Sequence, residues 1–143
     1  MSLKIRQMVP DDYESAYQLW TRTPGMNLKS LDNSYEGIKK IIDCNPKLCF
    51  VAEDQQQIVG TLLGGTDGRK GYFYHTAVDE RYRHQHIGSQ LIQLVLEGFK
   101  KQGVQKVGLF TTNDNLEGKT FWKHLGFSER EDITYLDKDL TDS

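Results

Sequence analysis

The chain has 143 residues, 37% of them hydrophobic and 27% charged, with a formal net charge of −2. That length suits one domain, 1–143, able to bury a core without staples, and the interspersed charges argue against broad electrostatic binding to nucleic acid. No apolar run approaches the roughly 18 residues of a membrane span, and Met1-Ser2-Leu3-Lys4 lacks a hydrophobic signal segment, so a soluble cytoplasmic protein is expected.

Taken in order, Leu3 to Met8 alternates as a first strand and Val9-Pro10 ends it. Asp11 with Glu14 resembles a capping box, and the helix it opens places Tyr13, Ala16, Tyr17 and Trp20 on one stripe. Trp20 reads either as core or as a residue leaning into an acceptor pocket. Residues 21–32 contain Pro24, Gly25 and Asn27 and read as a loop that is long for a simple connection, the kind that often serves function. Met26 and Leu28 then either line a pocket or pin the loop to the core.

Asn33 with Glu36 reads as a second helix start, with Ile38, Ile41 and Ile42 on its apolar face and Asn45-Pro46 as its stop. Leu48–Glu53 and Ile58–Gly64 read as a hairpin, and Gly65–Gly71 turns into a third strand of an antiparallel meander. Cys44, at a helix end, and Cys49, on a strand, read as reduced, packed thiols; a disulfide or a reactive cysteine is the alternative.

Tyr72–Val78 is aromatic and β-branched, and Ile87, Leu91, Leu94, Val95 and Phe99 recur at helical spacing. Between them lies the polar turn Arg83-His84-Gln85-His86, followed by Ile87-Gly88-Ser89. A strand that enters a helix through such a turn aims unpaired N–H groups and the positive end of the helix dipole at one spot, which suits a phosphate or pyrophosphate. Glycine at position 88 leaves room for a phosphate at the first helical turn, and Arg83 adds a permanent positive charge.

Gly103 ends this helix, Lys106–Thr112 follows as a strand parallel to Tyr72–Val78, and a short helix from Leu116 to Leu125 ends at Gly126. Phe127–Arg130 and Ile133–Leu136 read as a closing hairpin. The expected class is α+β, a mixed sheet with helices on both faces.

The turn resembles the acyl-CoA-binding motif of the GNAT superfamily of N-acetyltransferases, Gln/Arg-x-x-Gly-x-Gly/Ala. Arg83 takes its first position and Gly88 its last, and His86 stands where the first glycine is usual. Asn115 to Phe127 (NLEGKTFWKHLGF) resembles the later motif of that family. Val51-Ala52-Glu53, Val59-Gly60-Thr61 and residues 64–69 are similar to its small bacterial YpeA-like members, so the resemblance runs from Ile5 to about Leu140.

The resemblance implies a mostly antiparallel sheet with two central parallel strands that splay apart. It also implies transfer of an acetyl group from acetyl-CoA to a primary amine of a small molecule or peptide, with no metal, and it allows a homodimer. The alternative is an acyl-CoA-binding sensor or partner module without turnover.

On that resemblance the diphosphate goes to Arg83, His84, Gln85, His86, Ile87, Gly88 and Ser89. Ala77 and Val78 supply backbone contacts and an oxyanion donor, Asn115 bonds the pantetheine arm, and Phe121 and Trp122 lie alongside. Tyr72 stands where many members carry a glutamate, and Trp122 where many carry a tyrosine. The candidate proton-handling groups are therefore His75, Tyr72, Tyr74 and Tyr135, with Glu53 and Tyr82 as further options. His75 has the most suitable ordinary pKa but also reads as a satisfied strand histidine. Trp20, Met26 and Leu28 are the candidate acceptor contacts.

Overall fold

The computed structural model describes residues 3–24, 26 and 32–141. Among these residues five strands form one sheet in the order β1 (Lys4–Gln7), β2 (Cys49–Asp54), β3 (Gln57–Thr66), β4 (Lys70–Val78) and β5 (Lys106–Gly108). The first three pairings are antiparallel and the last is parallel. Helices α1 (Tyr13–Thr21) and α2 (Tyr35–Cys44) cover one face, and α3 (Ile87–Lys101) covers the other. α4 (Leu116–His124) follows β5.

The alternation of β3 divides the core. Leu63 and Ile58 pack with Leu19, Trp20, Ile38 and Ile42 below α1 and α2. Leu62 and Val59 pack with Ile87, Leu91, Val95 and Phe99 below α3. A strand covered on both faces reads as a continuous apolar run, and β3 is buried from Ile58 to Gly65.

α3 ends as expected, at Gly103, whose φ of +80° is the left-handed stop that glycine takes easily. Two helix starts differ from expectation. Asp11 does not cap; Pro10–Asp12 form a 3₁₀ turn, and Asp12 instead accepts the Val9 N–H and a bidentate grip from Arg6. Ser34, not Asn33, caps α2, its hydroxyl accepting the Gly37 N–H at 3.1 Å. Tyr17 is exposed, and Leu19 takes its place in the core.

The C-terminal side departs most. β5 ends at Gly108, four residues short of the expected Thr112, and no strand is assigned across 127–136. The closing hairpin is therefore not part of the sheet, and β5 is its edge instead of a central strand. Aromatic and β-branched residues there signal strand propensity, but propensity needs a partner's burial to be realised, and Ile133, Tyr135 and Leu136 are exposed.

Candidate active site

The parallel pairing of β4 and β5 stops early: Lys70, Gly71 and Tyr72 face Lys106, Val107 and Gly108, and no pair follows. Beyond it the two segments part around a cavity of about 530 Å³. Its walls are β4 from Tyr72 to Thr76, the segment from Leu109 to Thr112, Asn115 and Trp122 of the α4 region, and Met26, Asn33 and Tyr135. A second cavity of about 540 Å³ lies between α2 and β4 and shares Tyr72, Tyr74 and His75 with the first. So β4 presents one short wall to both.

That wall is bent. Thr61 pairs with Ala77 and Leu63 with Tyr74, so His75 and Thr76 stand together opposite Leu62 alone. This is a β-bulge, a device that re-aims a strand beside a site. His75 has φ of +49°, rare for a residue with a side chain. Its ring packs against Trp20 with centroids 4.4 Å apart and the planes tilted by 46°, and its Nε2 lies 2.5 Å from Asn33 Oδ1. An amide oxygen only accepts, so Nε2 carries the proton and Nδ1 is the bare nitrogen. Burial pushes the imidazole pKa down to about 4, so His75 is neutral near pH 7.

The turn from β4 into α3 is held at its start by Asp79 and carries two left-handed histidines. Asp79, the residue after β4, is buried, accepts the Arg81 N–H at 2.9 Å and is gripped by the guanidinium groups of Arg81 and Arg22. Those contacts hold its carboxyl well below the usual carboxylate range and fix the path of the chain into α3. His84 and His86 both have positive φ, +68° and +63°, and His86 is the N-cap residue of α3. The position where the family uses glycine thus does need the left-handed region, at a cost of about 1 kcal/mol for a residue with a Cβ.

Gly88 is different. A Cβ added there would lie 3.7 Å from Phe121 Cζ and 3.7 Å from Val78 Cγ2, ordinary contact distances, and its φ is not left-handed. Nothing in the protein itself requires glycine at 88; an approaching ligand would.

The structure brings Tyr72, Tyr74, His75, Met26, Asn115, Trp122 and Tyr135 around the first cavity, and it seats Val78 and Phe121 beside Gly88. Arg83 is half-buried, with its guanidinium 3.4 Å from Glu117, while His84, Gln85, His86 and Ser89 are exposed. Ile87 anchors the start of α3 in the core. Asn115 caps α4, its Oδ1 accepting the Gly118 N–H at 3.0 Å while its amide donates to Thr111 at 2.9 Å. Trp122 packs against Phe73 and Phe127.

One expected contact is not at the cavity: Trp20 is 1% exposed, a core residue whose N–H is taken by Thr61. The Ala77 side chain is buried below α1, which does not bear on the backbone contact expected of it, and Leu28 lies outside the described residues. Among the remaining options, Glu53 is paired to Arg6 at 2.9 Å, and the Tyr82 hydroxyl donates to Asp54. The Tyr135 hydroxyl bonds Asp137, which raises its pKa.

Sequence reasoning missed Thr112 and Thr76. The Thr112 hydroxyl and His75 Nδ1 are buried polar atoms without a partner, and both residues line the first cavity. Such atoms are costly unless something completes them. Among the described residues no group of three or more His, Cys, Asp or Glu converges as a metal-binding set, and no helix is long and apolar enough to cross a membrane.

Residues 12–127 match the model of the acetyltransferase (GNAT) family. The chain belongs to that family and is an N-acetyltransferase. It is 28% identical over 138 residues to an acetyltransferase of Sodalis glossinidius, covering 96% of each chain. It is 31% identical over 113 residues to an acetyltransferase of Photorhabdus laumondii, covering 79% of this chain and 78% of that one. Among solved structures, Ard1 of Thermoplasma volcanium superposes with a TM-score of 0.76 at 26% identity, over 90% of this chain and 84% of that one. The PaiA N-acetyltransferase of Thermoplasma acidophilum, solved with coenzyme A, shares the fold with a TM-score of 0.75 at 21% identity, over 90% and 91%.

Proposed function

We propose that this enzyme moves the acetyl group of acetyl-CoA to a primary amine of a small molecule or peptide, by direct attack on the thioester. The observation that carries the reading is the parting of β4 from β5 after Tyr72 and Gly108, with a cavity between them. The residues present suit the cofactor: α3 opens with a helix N-terminus suited to a diphosphate, Gly88 keeps that approach clear, and the unmet Thr112 hydroxyl waits along the path of the arm. Acetyl-CoA supplies the activated acyl group.

The chain's own residues bind, orient and handle protons. The N–H groups of Ile87, Gly88 and Ser89, with Arg83 beside them, hold the diphosphate. Backbone from Phe73 to Val78 pairs the amides of the arm as an added strand would. The amine arrives from the α2 side, past Tyr72 and Tyr74, and reaches the acyl carbon at His75. The amine must be neutral to attack, and a lysine-like amine with a pKa of about 10.4 is almost wholly protonated at pH 7.

The ammonium first gives one proton to water and becomes the neutral amine. The new C–N bond then forms as the C–S bond breaks, and the second proton leaves the nitrogen to water or to His75 Nδ1. The thiolate, whose parent thiol has a pKa of about 8.5, is a good enough leaving group to depart without an obligatory acid. The products are an amide and free coenzyme A.

The rival is a module that holds acyl-CoA without turning it over, and the weakness of His75 as a base is the observation that favours it. Incubation with acetyl-CoA and a broad amine panel decides between them. Free-thiol release with any amine excludes the rival; binding without release across the panel excludes turnover.

A further inference from the structure

We propose that Thr61 is a positioning residue: its hydroxyl, locked by the Trp20 indole, fixes the bulge in β4 that turns the Thr76 N–H toward the acyl carbonyl oxygen. The inference rests on the acetyl-CoA reading and adds to it the donor and the group that aims it.

Gly60 faces α3, since a Cβ there would lie 3.2 Å from Ile87, so alternation puts Thr61 on the α1 face, fully buried. There Trp20 Nε1 lies 2.9 Å from the Thr61 hydroxyl, which in turn lies 2.6 Å from the His75 carbonyl. An indole N–H only donates. The hydroxyl must therefore accept from Trp20 and spend its single proton on the His75 carbonyl. Both directions are fixed.

That carbonyl belongs to the residue with φ of +49°. A left-handed conformation with a side chain persists only where its surroundings over-determine it. Here Thr61 holds the carbonyl, Asn33 holds the ring nitrogen, and the Trp20 ring packs against the imidazole.

Among the described residues all peptide bonds are trans. In a trans peptide the carbonyl of one residue and the N–H of the next point opposite ways. With the His75 carbonyl drawn to Thr61, the Thr76 N–H points away from β3, and Thr76 lines the cavity. The Asp79 N–H bonds the Val59 carbonyl at 2.8 Å, so by alternation the Ala77 N–H also faces β3, whereas the Val78 N–H faces away from it. Of the two outward-facing residues, Thr76 lines the cavity and Val78 does not, which makes Thr76 the better placed. Removing one such donor typically costs 10²- to 10³-fold in rate.

The test reads amide resonances of the full chain and needs no acceptor. Spectra are recorded free, with coenzyme A and with acetyl-CoA, for the wild type, Thr61→Ser and Thr61→Val. Expected is a downfield shift of the Thr76 amide proton with acetyl-CoA beyond that with coenzyme A, kept in Thr61→Ser and lost in Thr61→Val. Shifts at residues 87–89, which report the diphosphate end, stay equal in all three.

An acetyl-specific Thr76 shift that survives Thr61→Val overturns the inference, as does its absence in the wild type while residues 87–89 respond. If neither ligand moves residues 87–89, the acetyl-CoA reading falls and takes this one with it. Should Thr61→Val not fold, Trp20→Phe keeps the hydroxyl but removes its anchor; an undiminished Thr76 shift there overturns the proposal equally.

Discussion

Replacing Gly88 by Ala is expected to move stability and binding in opposite directions. Residue 88 is the second residue of α3, and a Cβ there meets Phe121 and Val78 at 3.7 Å, so the folded protein accommodates it. Alanine is better than glycine by up to about 1 kcal/mol inside a helix, and somewhat less in the first turn. The free protein should therefore gain about 0.5–1 kcal/mol, or roughly 2–4 °C in Tm.

The added methyl stands where the diphosphate must approach the Gly88 N–H. Losing one charge-assisted hydrogen bond of about 1.5–3 kcal/mol weakens coenzyme A roughly 10- to 100-fold. At a ligand concentration 100 times the wild-type Kd, stabilisation by ligand should fall from about 2.7 kcal/mol to about 1.4 kcal/mol or less. Thermal melts with and without coenzyme A measure both effects. An unchanged affinity refutes the placement of the diphosphate. A lower Tm in the free protein refutes the account of the helix start.

Other substitutions test the remaining geometry. His86→Gly should raise Tm by about 3 °C by relieving the left-handed backbone, whereas His86→Ala, which keeps a Cβ there, should not; equal gains from both would contradict the strain argument. His75 binds a proton in the unfolded chain below about pH 6.5 but in the native protein only near pH 4. Its contribution is thus complete above pH 6.5 and shrinks as pH falls toward 4, by up to about 3 kcal/mol. Urea titrations should show that slope, and His75→Asn, which tolerates positive φ, should flatten it. Burial pushes the Cys49 thiol up to about 12, while Cys44 is exposed. A native thiol titration should therefore find one reactive cysteine, and a denatured one two; two in the native protein would contradict the burial of Cys49.

The connection from β4 to α3 was legible because its signals are local: strand residues, a polar turn and helical periodicity are read within Tyr72–Phe99. The bulge was not legible. It depends on Thr61 and Trp20, which are 41 residues apart in sequence and meet only across the packed sheet. Trp20 shows the same limit from the other side, since a stripe position cannot tell a core indole from one that faces a substrate. The tail failed for a further reason: Ile133 and Tyr135 have strand propensity, but no neighbour in the sheet receives them. The left-handed His86 could be suspected from the family pattern, but no local residue signal distinguishes it from an ordinary turn histidine.

A crystal structure with acetyl-CoA bound tests the central claim most directly. The account predicts diphosphate oxygens within about 3 Å of the amides of residues 87–89, and the pantetheine arm running between β4 and the segment from Leu109 to Thr112. It also predicts the thioester oxygen on the Thr76 N–H. A cofactor bound elsewhere, with β4 and Leu109–Thr112 closed on each other, would contradict it.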